Sequence, residues 1–187
     1  MSGRDVFFVH GAGHPRHPEG SGQLADYLDR ELGDDFRVIA PTMPEPDDPN
    51  YRLWRDEIEQ QLVGLGDDIL LVGHSFGGSV LLKYLAEGTY QRPIAAIFLV
   101  SVPFWGSDFP SFALPHDFAT RLPTAPIFLY HSRDDPEVPA AHLRRYEEHL
   151  PHATSHLIDG SQHSFTDGLP QLVRDIQALS TKSSNTG

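Results

Sequence analysis

Short apolar runs alternate along the chain with stretches in which apolar residues recur every three or four positions. The apolar runs predict six buried strands, at residues 6–9, 36–40, 69–72, 94–100, 127–130 and 155–158. The stretches between them have helical spacing, as shown by Leu24, Tyr27, Leu28 and Leu32. Strands that alternate with helices predict an α/β fold, with a doubly wound, mainly parallel six-stranded sheet that carries helices on both faces.

Polar residues, glycine and proline mark the ends of the predicted helices. Gly33 follows the first helix, Asn50 can cap the second, and Pro139 opens the helix after the fifth strand. A further helix is predicted over residues 76–87. The apolar faces of the other helices contain Leu53, Trp54, Ile58, Leu62, Leu143, Tyr146, Leu150, Leu172, Ile176 and Leu179. The chain is therefore predicted to form one domain over residues 1–180, followed by a flexible tail over 181–187.

Composition and charge narrow the classes of function. The chain has 187 residues and a formal net charge of -12, because 26 Asp and Glu outnumber 14 Lys and Arg. Such a surface repels a phosphate backbone, so no nucleic-acid partner is expected. Cysteine is absent, which excludes disulfides and thiolate metal sites. No run of about 18 apolar residues occurs, so no membrane span is predicted. We expect a cytoplasmic protein.

A serine lies between glycines where the third strand is predicted to end. Gly73, His74, Ser75, Phe76 and Gly77 form a G-x-S-x-G pattern that follows an apolar strand and opens a helix. The pattern predicts a sharp turn that exposes a nucleophilic serine in a strained backbone conformation. The alternative is a glycine-rich turn that binds an anion at the helix N-terminus.

A nucleophilic serine needs a base, and the base needs an acid to orient it. Such sites usually present serine, acid and histidine in that chain order, and His163 follows the last predicted strand. Asp134 and Asp135 follow the fifth strand and are candidates for the acid, with Asp108 as a substitute after the fourth strand. Both adjacent aspartates are alternatively explained as turn-forming or helix-capping residues.

The loop after the first strand is the candidate for stabilising a developing oxyanion. Its sequence is "HGAG", and its small residues allow the backbone to approach a substrate. We expect the backbone N–H groups of Ala12 and Phe76 to form the oxyanion hole. The loop is alternatively a flexible glycine-containing connection. His10, His14 and His17 lack a carboxylate or cysteine at a recognisable ligand spacing, so no metal site and no cofactor are predicted.

These motifs resemble those of a known superfamily. The segments "HGAG", "GHSFGG", "DDPEVP" and "GSQHSF" occur in the order typical of α/β-hydrolases, and the chain resembles the small serine hydrolases of the YdeN and retinoblastoma-binding protein 9 type. The resemblance implies a reduced α/β-hydrolase fold with strand order 2-1-3-4-5-6 and no separate cap domain. It also implies that the acid of D-x-x-V-P and the late histidine complete a triad of Ser75, Asp135 and His163.

Residues 104–122 stand where larger relatives insert a lid. This segment contains Phe104, Trp105, Phe109, Phe112 and Phe118, and we expect it to form an apolar wall beside the serine. The alternative is that these aromatic side chains fill the edge of the core. The residues expected to line a substrate pocket are His10, Gly11, His74, Phe104, Trp105 and Phe109.

The sequence therefore predicts a serine hydrolase that cleaves carboxylic esters of small to medium acyl groups through an acyl-enzyme. Its expected partner is a small-molecule ester or a related acyl substrate. Two alternatives remain. One is a non-catalytic module that binds a protein or ligand on a hydrolase scaffold, and the other is a C–C hydrolase or lyase that uses the same pocket.

Overall fold

Six strands lie where the apolar runs predict them, and all adjacent strands pair in parallel. We describe residues 3–106 and 109–183 of a computed structural model. The spatial order is β2-β1-β3-β4-β5-β6, which confirms the expected order. The strands are β1 (Arg4–Val9), β2 (Phe36–Ile39), β3 (Ile69–His74), β4 (Ile94–Val100), β5 (Ile127–Ser132) and β6 (Thr154–Ile158).

The helices connect successive strands. They are α1 (Gly22–Leu32), α2 (Tyr51–Val63), α3 (Ser75–Ala86), α4 (Phe118–Arg121), α5 (Ala141–His149) and α6 (Pro170–Ser183), and a 3-10 turn covers Gly33–Asp35. Asn50 caps α2 as predicted, since its side-chain oxygen accepts the N–H groups of Arg52 and Leu53. The fifth helix begins at Ala141, two residues after Pro139. Residues 181–183 of the predicted tail belong to α6, and residues 184–187 lie outside the described residues.

Side chains alternate between the two faces of the sheet, so each face carries its own core. On one face, Phe7 and Val9 of β1 pack with α2, α3 and α5. On the other face, Val6 and Phe8 pack with α1 and α6. Complete burial of one such side chain stabilises the fold by about 1.5–3 kcal/mol. The doubly wound arrangement therefore follows from strands that are apolar on both faces.

The carboxyl ends of the strands meet at one edge of the sheet. Val9 pairs with Gly73, His74 with Val100, and Ser132 with Ile158. The strand order reverses between β1 and β3, because the chain moves outward from β1 to β2 and then returns to the other side of β1. Crevices at such a reversal are the usual ligand sites of open α/β sheets. The loops after β1, β3, β5 and β6 are thereby brought together.

The segment between β4 and β5 is short. In the part of it that the structure describes, α4 is the one helix, so the described residues form no separate cap domain. Among the helices of the described residues, none is both long and apolar enough to cross a membrane.

Candidate active site

The turn from β3 into α3 holds Ser75 in a left-handed backbone conformation with φ +49°. That conformation costs a residue other than glycine about 1–2 kcal/mol, and it sets the serine on the outside of a sharp turn. Gly73 and Gly77 leave room for the turn. A Cβ on Gly73 would lie 2.5 Å from the Cα of Gly78, and one on Gly77 would lie 2.5 Å from the carbonyl oxygen of Val9. The strained backbone of Ser75 matches the expectation from sequence.

Ser75, His163 and Asp135 form a continuous chain of hydrogen bonds at the carboxyl edge of the sheet. The Oγ of Ser75 lies 2.9 Å from Nε2 of His163, and Nδ1 of the same ring lies 2.9 and 3.1 Å from the two carboxylate oxygens of Asp135. A carboxylate only accepts, so the neutral ring carries its hydrogen on Nδ1. Nε2 is then free to accept the hydroxyl hydrogen of the serine.

The carboxyl group of Asp135 is buried yet remains ionised at neutral pH. Burial alone raises its pKa, but the hydrogen bond from His163 and the backbone N–H groups of Val138 and Glu137 outweigh burial and lower the pKa to about 2. Both N–H groups lie 2.9 Å from the same carboxylate oxygen. A fixed negative charge therefore faces the imidazole on the side opposite the serine.

The structure separates the two adjacent aspartates. Asp135 is buried against His163, whereas Asp134 is exposed. The backbone N–H of Asp134 donates to the carbonyl oxygen of Gly160 at 3.0 Å. Asp108, the substitute acid considered from the sequence, lies outside the described residues.

A second buried network joins the loop after β1 to the serine turn and to His163. The backbone N–H of Gly11 donates to Oγ of Ser21 at 2.9 Å, and that hydroxyl lies 2.7 Å from Nδ1 of His74. Nε2 of His74 lies 2.9 Å from the carbonyl oxygen of His163. Because a carbonyl oxygen only accepts, Nε2 of His74 carries the hydrogen and Nδ1 accepts from the Ser21 hydroxyl. Every polar atom in this network has a partner.

Burial keeps His74 neutral, since it lowers the pKa of this imidazole to about 3. Sequence reasoning missed Ser21, whose partners lie 10 and 53 positions away along the chain. The only available signal was its place before α1, which suggests a helix cap. The structure shows no side-chain capping bond there, because the hydroxyl is directed to His74.

The imidazole of His10 holds the loop after β1 in place through two hydrogen bonds. Its Nε2 accepts the backbone N–H of Met43 at 2.8 Å, so Nδ1 carries the hydrogen and donates to the carbonyl oxygen of Gly11 at 2.6 Å. Burial lowers the pKa of His10. His10 and His74 are each only 2% exposed. Their imidazoles support the backbone of the site, which corrects the expectation that they line a substrate pocket.

The candidate oxyanion loop lies directly against the serine. A Cβ on Gly11 would be 3.3 Å from Cβ of Ser75, so Gly11 lies directly against the serine. The next residue, Ala12, is exposed to solvent. In the described part of the chain, no backbone or side-chain acceptor takes the N–H of Ala12. Phe76 is in the first turn of α3, where N–H groups have no acceptor within the helix. Phe76 follows Ser75 directly, and Ala12 follows Gly11, the residue that lies against Ser75.

The aromatic side chains of residues 104–122 divide into two groups. Near the serine turn, the Phe76 ring contacts Phe112 and Trp105 at centroid distances of 4.6 and 6.3 Å, and Trp105 contacts the exposed Phe109 at 4.6 Å. The Phe104 ring instead packs against Tyr146 at 5.0 Å, in the cluster that fills the core edge. Trp105 and Phe112 therefore contact the ring that follows Ser75, whereas Phe104 packs at the edge of the core.

Two large grooves lie away from the hydrogen-bonded triad. One groove of about 620 Å³ runs along Pro49–Leu53, and Phe112 forms its other wall. The Phe112 ring contacts Phe76, so one aromatic ring separates this groove from Phe76. Another of about 520 Å³ includes Ile127 and Ala153, at the amino ends of β5 and β6. Neither groove is lined by the serine. The described residues also contain no group of three or more His, Asp or Glu side chains placed to hold a metal ion.

Comparisons with known proteins agree with this fold. A family model described as "Alpha/beta hydrolase family" matches residues 6–170, whereas a search of curated protein sequences finds no match. The ydeN gene product of B. subtilis superposes with TM-score 0.78 at 19% identity, over 95% of this chain and 99% of that chain. The esterase RhEst1 from Rhodococcus sp. ECU1013 superposes with TM-score 0.72 at 18% identity, over 99% of this chain and 92% of that chain. The monoacylglycerol lipase of Paleococcus ferrophilus superposes with TM-score 0.73 at 18% identity, over 95% of this chain and 96% of that chain.

Proposed function

The chain belongs to the alpha/beta hydrolase family, and from that premise we propose that it is a serine hydrolase that cleaves carboxylic esters of small to medium acyl groups. The observation that carries the proposal is the continuous set of hydrogen bonds from Ser75 through His163 to Asp135. A weakly nucleophilic hydroxyl becomes reactive when an oriented base accepts its proton. Two solved structures with the same fold are named as an esterase and a lipase.

Acylation begins at the serine. The Oγ of Ser75 attacks the acyl carbon of the ester while its proton moves to Nε2 of His163. The negative carboxylate of Asp135 stabilises the imidazolium that forms. The oxyanion accepts hydrogen bonds from the N–H groups of Ala12 and Phe76, a contribution that is typically worth about 10²–10³ in kcat for each donor. The imidazolium then protonates the alcohol oxygen as the acyl–oxygen bond breaks.

Deacylation repeats the same steps with water. His163 removes a proton from a water molecule, which attacks the acyl carbon of the serine ester. The proton then passes from the imidazolium to Oγ of Ser75 as the acid product leaves. No metal or organic cofactor takes part in either half of the reaction.

The aromatic side of the site favours an apolar acyl group. Phe76, Phe112 and Trp105 form an aromatic surface beside the serine turn, which suits the burial of a hydrocarbon chain.

Ester, thioester and amide substrates all use the machinery proposed here. The alcohol of an ester leaves more readily than an amine, so we expect esters to react faster than amides.

A panel with one constant acyl group tests the proposal. Purified protein is assayed with a butyrate ester, a butyryl thioester and a butyramide, beside a Ser75→Ala variant. We expect ester turnover by the wild type and a loss of about 10⁴-fold or more in the variant, with an unchanged melting temperature. Failure of the folded wild type to hydrolyse any of the three would contradict the proposal. That result would instead favour a binding module, or C–C bond cleavage with His163 as the base.

A further inference from the structure

We propose that Glu137 selects substrates whose leaving group carries a positive charge, such as esters of amino alcohols. The inference rests on the proposed esterase function and names its substrate class more closely. It concerns the alcohol side of the ester, about which the triad itself gives no information.

The carboxylate of Glu137 is directed at the reactive nitrogen of the site. Its Oε2 lies 3.6 Å from Nε2 of His163, the same nitrogen that lies 2.9 Å from Oγ of Ser75. The side chain of Glu137 is 63% exposed, whereas that of His163 is only 6% exposed. The carboxylate therefore stands on the solvent side of the imidazole, where a substrate enters.

The backbone of Glu137 is fixed by the triad. Its N–H donates to a carboxylate oxygen of Asp135 at 2.9 Å, and the N–H of Val138 donates to the same oxygen. This turn links the position of Glu137 to the buried acid and hence to the imidazole. The backbone of Glu137 is therefore held beside the imidazole, while its carboxylate reaches solvent.

Among the described residues, no Lys or Arg side chain lies within 4 Å of the Glu137 carboxylate. Within the described ranges 3–106 and 109–183, the imidazole of His163 is the one basic group within 4 Å of that carboxylate. Arg133, which precedes Glu137 by four positions in the sequence, is paired with Asp159 at 3.0 Å. The net charge of -12 adds a negative potential of the same sign over the whole surface.

The proposed reaction brings the leaving group next to this charge. To take the proton from Nε2 of His163, the alcohol oxygen must come within hydrogen-bond distance of that nitrogen. A cation two carbons beyond that oxygen can approach the Glu137 carboxylate to about 4–6 Å when the leaving group points towards Glu137. In a water-like dielectric, attraction over that distance corresponds to about a threefold to fivefold gain in kcat/KM.

An isosteric pair of esters isolates this effect. Butyrylcholine and 3,3-dimethylbutyl butyrate have the same shape, and they differ in a quaternary nitrogen that replaces a quaternary carbon. We expect Glu137→Gln to lower the ratio of kcat/KM for the cationic over the neutral ester by about threefold to fivefold. Any effect of the lost charge on the His163 imidazolium acts on both esters alike and cancels in this ratio. Raising the salt concentration to about 1 M should shrink the wild-type ratio.

The matched control is Asp134→Asn, which removes one nearby exposed charge that does not face Nε2 of His163. We expect it to leave the ratio unchanged. An unchanged ratio in Glu137→Gln, or an equal loss for both esters, would overturn the inference while neutral-ester turnover upholds the proposed function. Turnover of neither ester by the folded wild type would overturn both.

Discussion

Replacing Asp135 by asparagine should abolish nearly all turnover, whereas the same change at Asp134 should leave it almost intact. Asparagine has nearly the shape of aspartate but offers an amide NH₂ group in place of one carboxylate oxygen. That group donates to Nδ1 of His163 and drives the ring hydrogen to Nε2. The imidazole then cannot accept the proton of Ser75, and no negative charge remains to stabilise the imidazolium.

The expected fall in kcat of Asp135→Asn follows from the loss of the correct His163 tautomer and of the negative charge. Comparable changes of tautomer in serine hydrolases lower kcat by about 10⁴-fold, which corresponds to about 5 kcal/mol at 1.36 kcal/mol for each factor of ten. Stability should change much less, because the asparagine side-chain oxygen still accepts the N–H groups of Glu137 and Val138. The exposed Asp134 makes no contact with the imidazole, so we expect a change below about threefold.

Steady-state hydrolysis of p-nitrophenyl butyrate by the wild type and the two variants measures both effects. Melting temperatures, measured on the same samples, show whether each variant is folded. A severe loss in Asp134→Asn, or activity within tenfold of wild type in Asp135→Asn, would refute the assignment of Asp135 as the acid.

Three further predictions concern the framework of the site. Gly77→Ala should destabilise the fold by about 3 kcal/mol or more and remove activity, because its Cβ would lie 2.5 Å from the carbonyl oxygen of Val9. The control in thermal unfolding is Gly106→Ala, because a Cβ on Gly106 would meet open space. Ser21→Ala should cost about 2 kcal/mol and lower kcat more than it raises KM, and Ser21→Thr should restore part of both. Burial lowers the pKa of His74 to about 3 in the folded protein, so the unfolded chain takes up this proton first. Stability should therefore fall as pH decreases from about 6.5 to 3, by up to about 1.4 kcal/mol for each pH unit, and His74→Gln should reduce this dependence in urea unfolding.

Each of these expectations has a clear contrary result. A Gly77→Ala protein as stable as the Gly106→Ala control would show that the turn has room to adjust. Equal kcat in Ser21→Ala and wild type would show that the buried network does not position the loop after β1. An identical loss of stability between pH 7.5 and 5 in His74→Gln and wild type would place the titrating group elsewhere.

The general architecture was predictable because it depends on patterns that are local in sequence. Strands apolar on both faces require helices on both sides, and right-handed crossovers then restrict the strand order. The carboxyl ends of parallel strands share one edge, so residues following β3, β5 and β6 had to meet. Ser75 and His163 were found in this way, from their positions after strands.

The choice between Asp134 and Asp135 did not follow from the pattern alone. The residues are adjacent, both follow β5, and only the resemblance of "DDPEVP" to a family motif favoured the second. The turn after β5 directs Asp135 inward, where the N–H groups of Glu137 and Val138 hold its carboxylate. Such a turn depends on the whole loop and not on one residue type.

Contacts between distant loops were not predictable. Ser21 is 53 positions from His74 and has no periodic or motif signal, yet its hydroxyl joins the loop after β1 to the serine turn. Glu137 occupies an unspecified position of D-x-x-V-P, and its nearness to His163 appears only when the loop is folded. The separation of Phe104 from Trp105 likewise reflects side-chain packing that composition does not encode.

The central claim is that Ser75 is an activated nucleophile, and covalent labelling tests it most directly. The wild type and Ser75→Ala are incubated with a fluorophosphonate probe, and their intact masses are measured. The account predicts a single adduct on the wild type and none on the variant. No adduct on the folded wild type, or equal labelling of the variant, would contradict it.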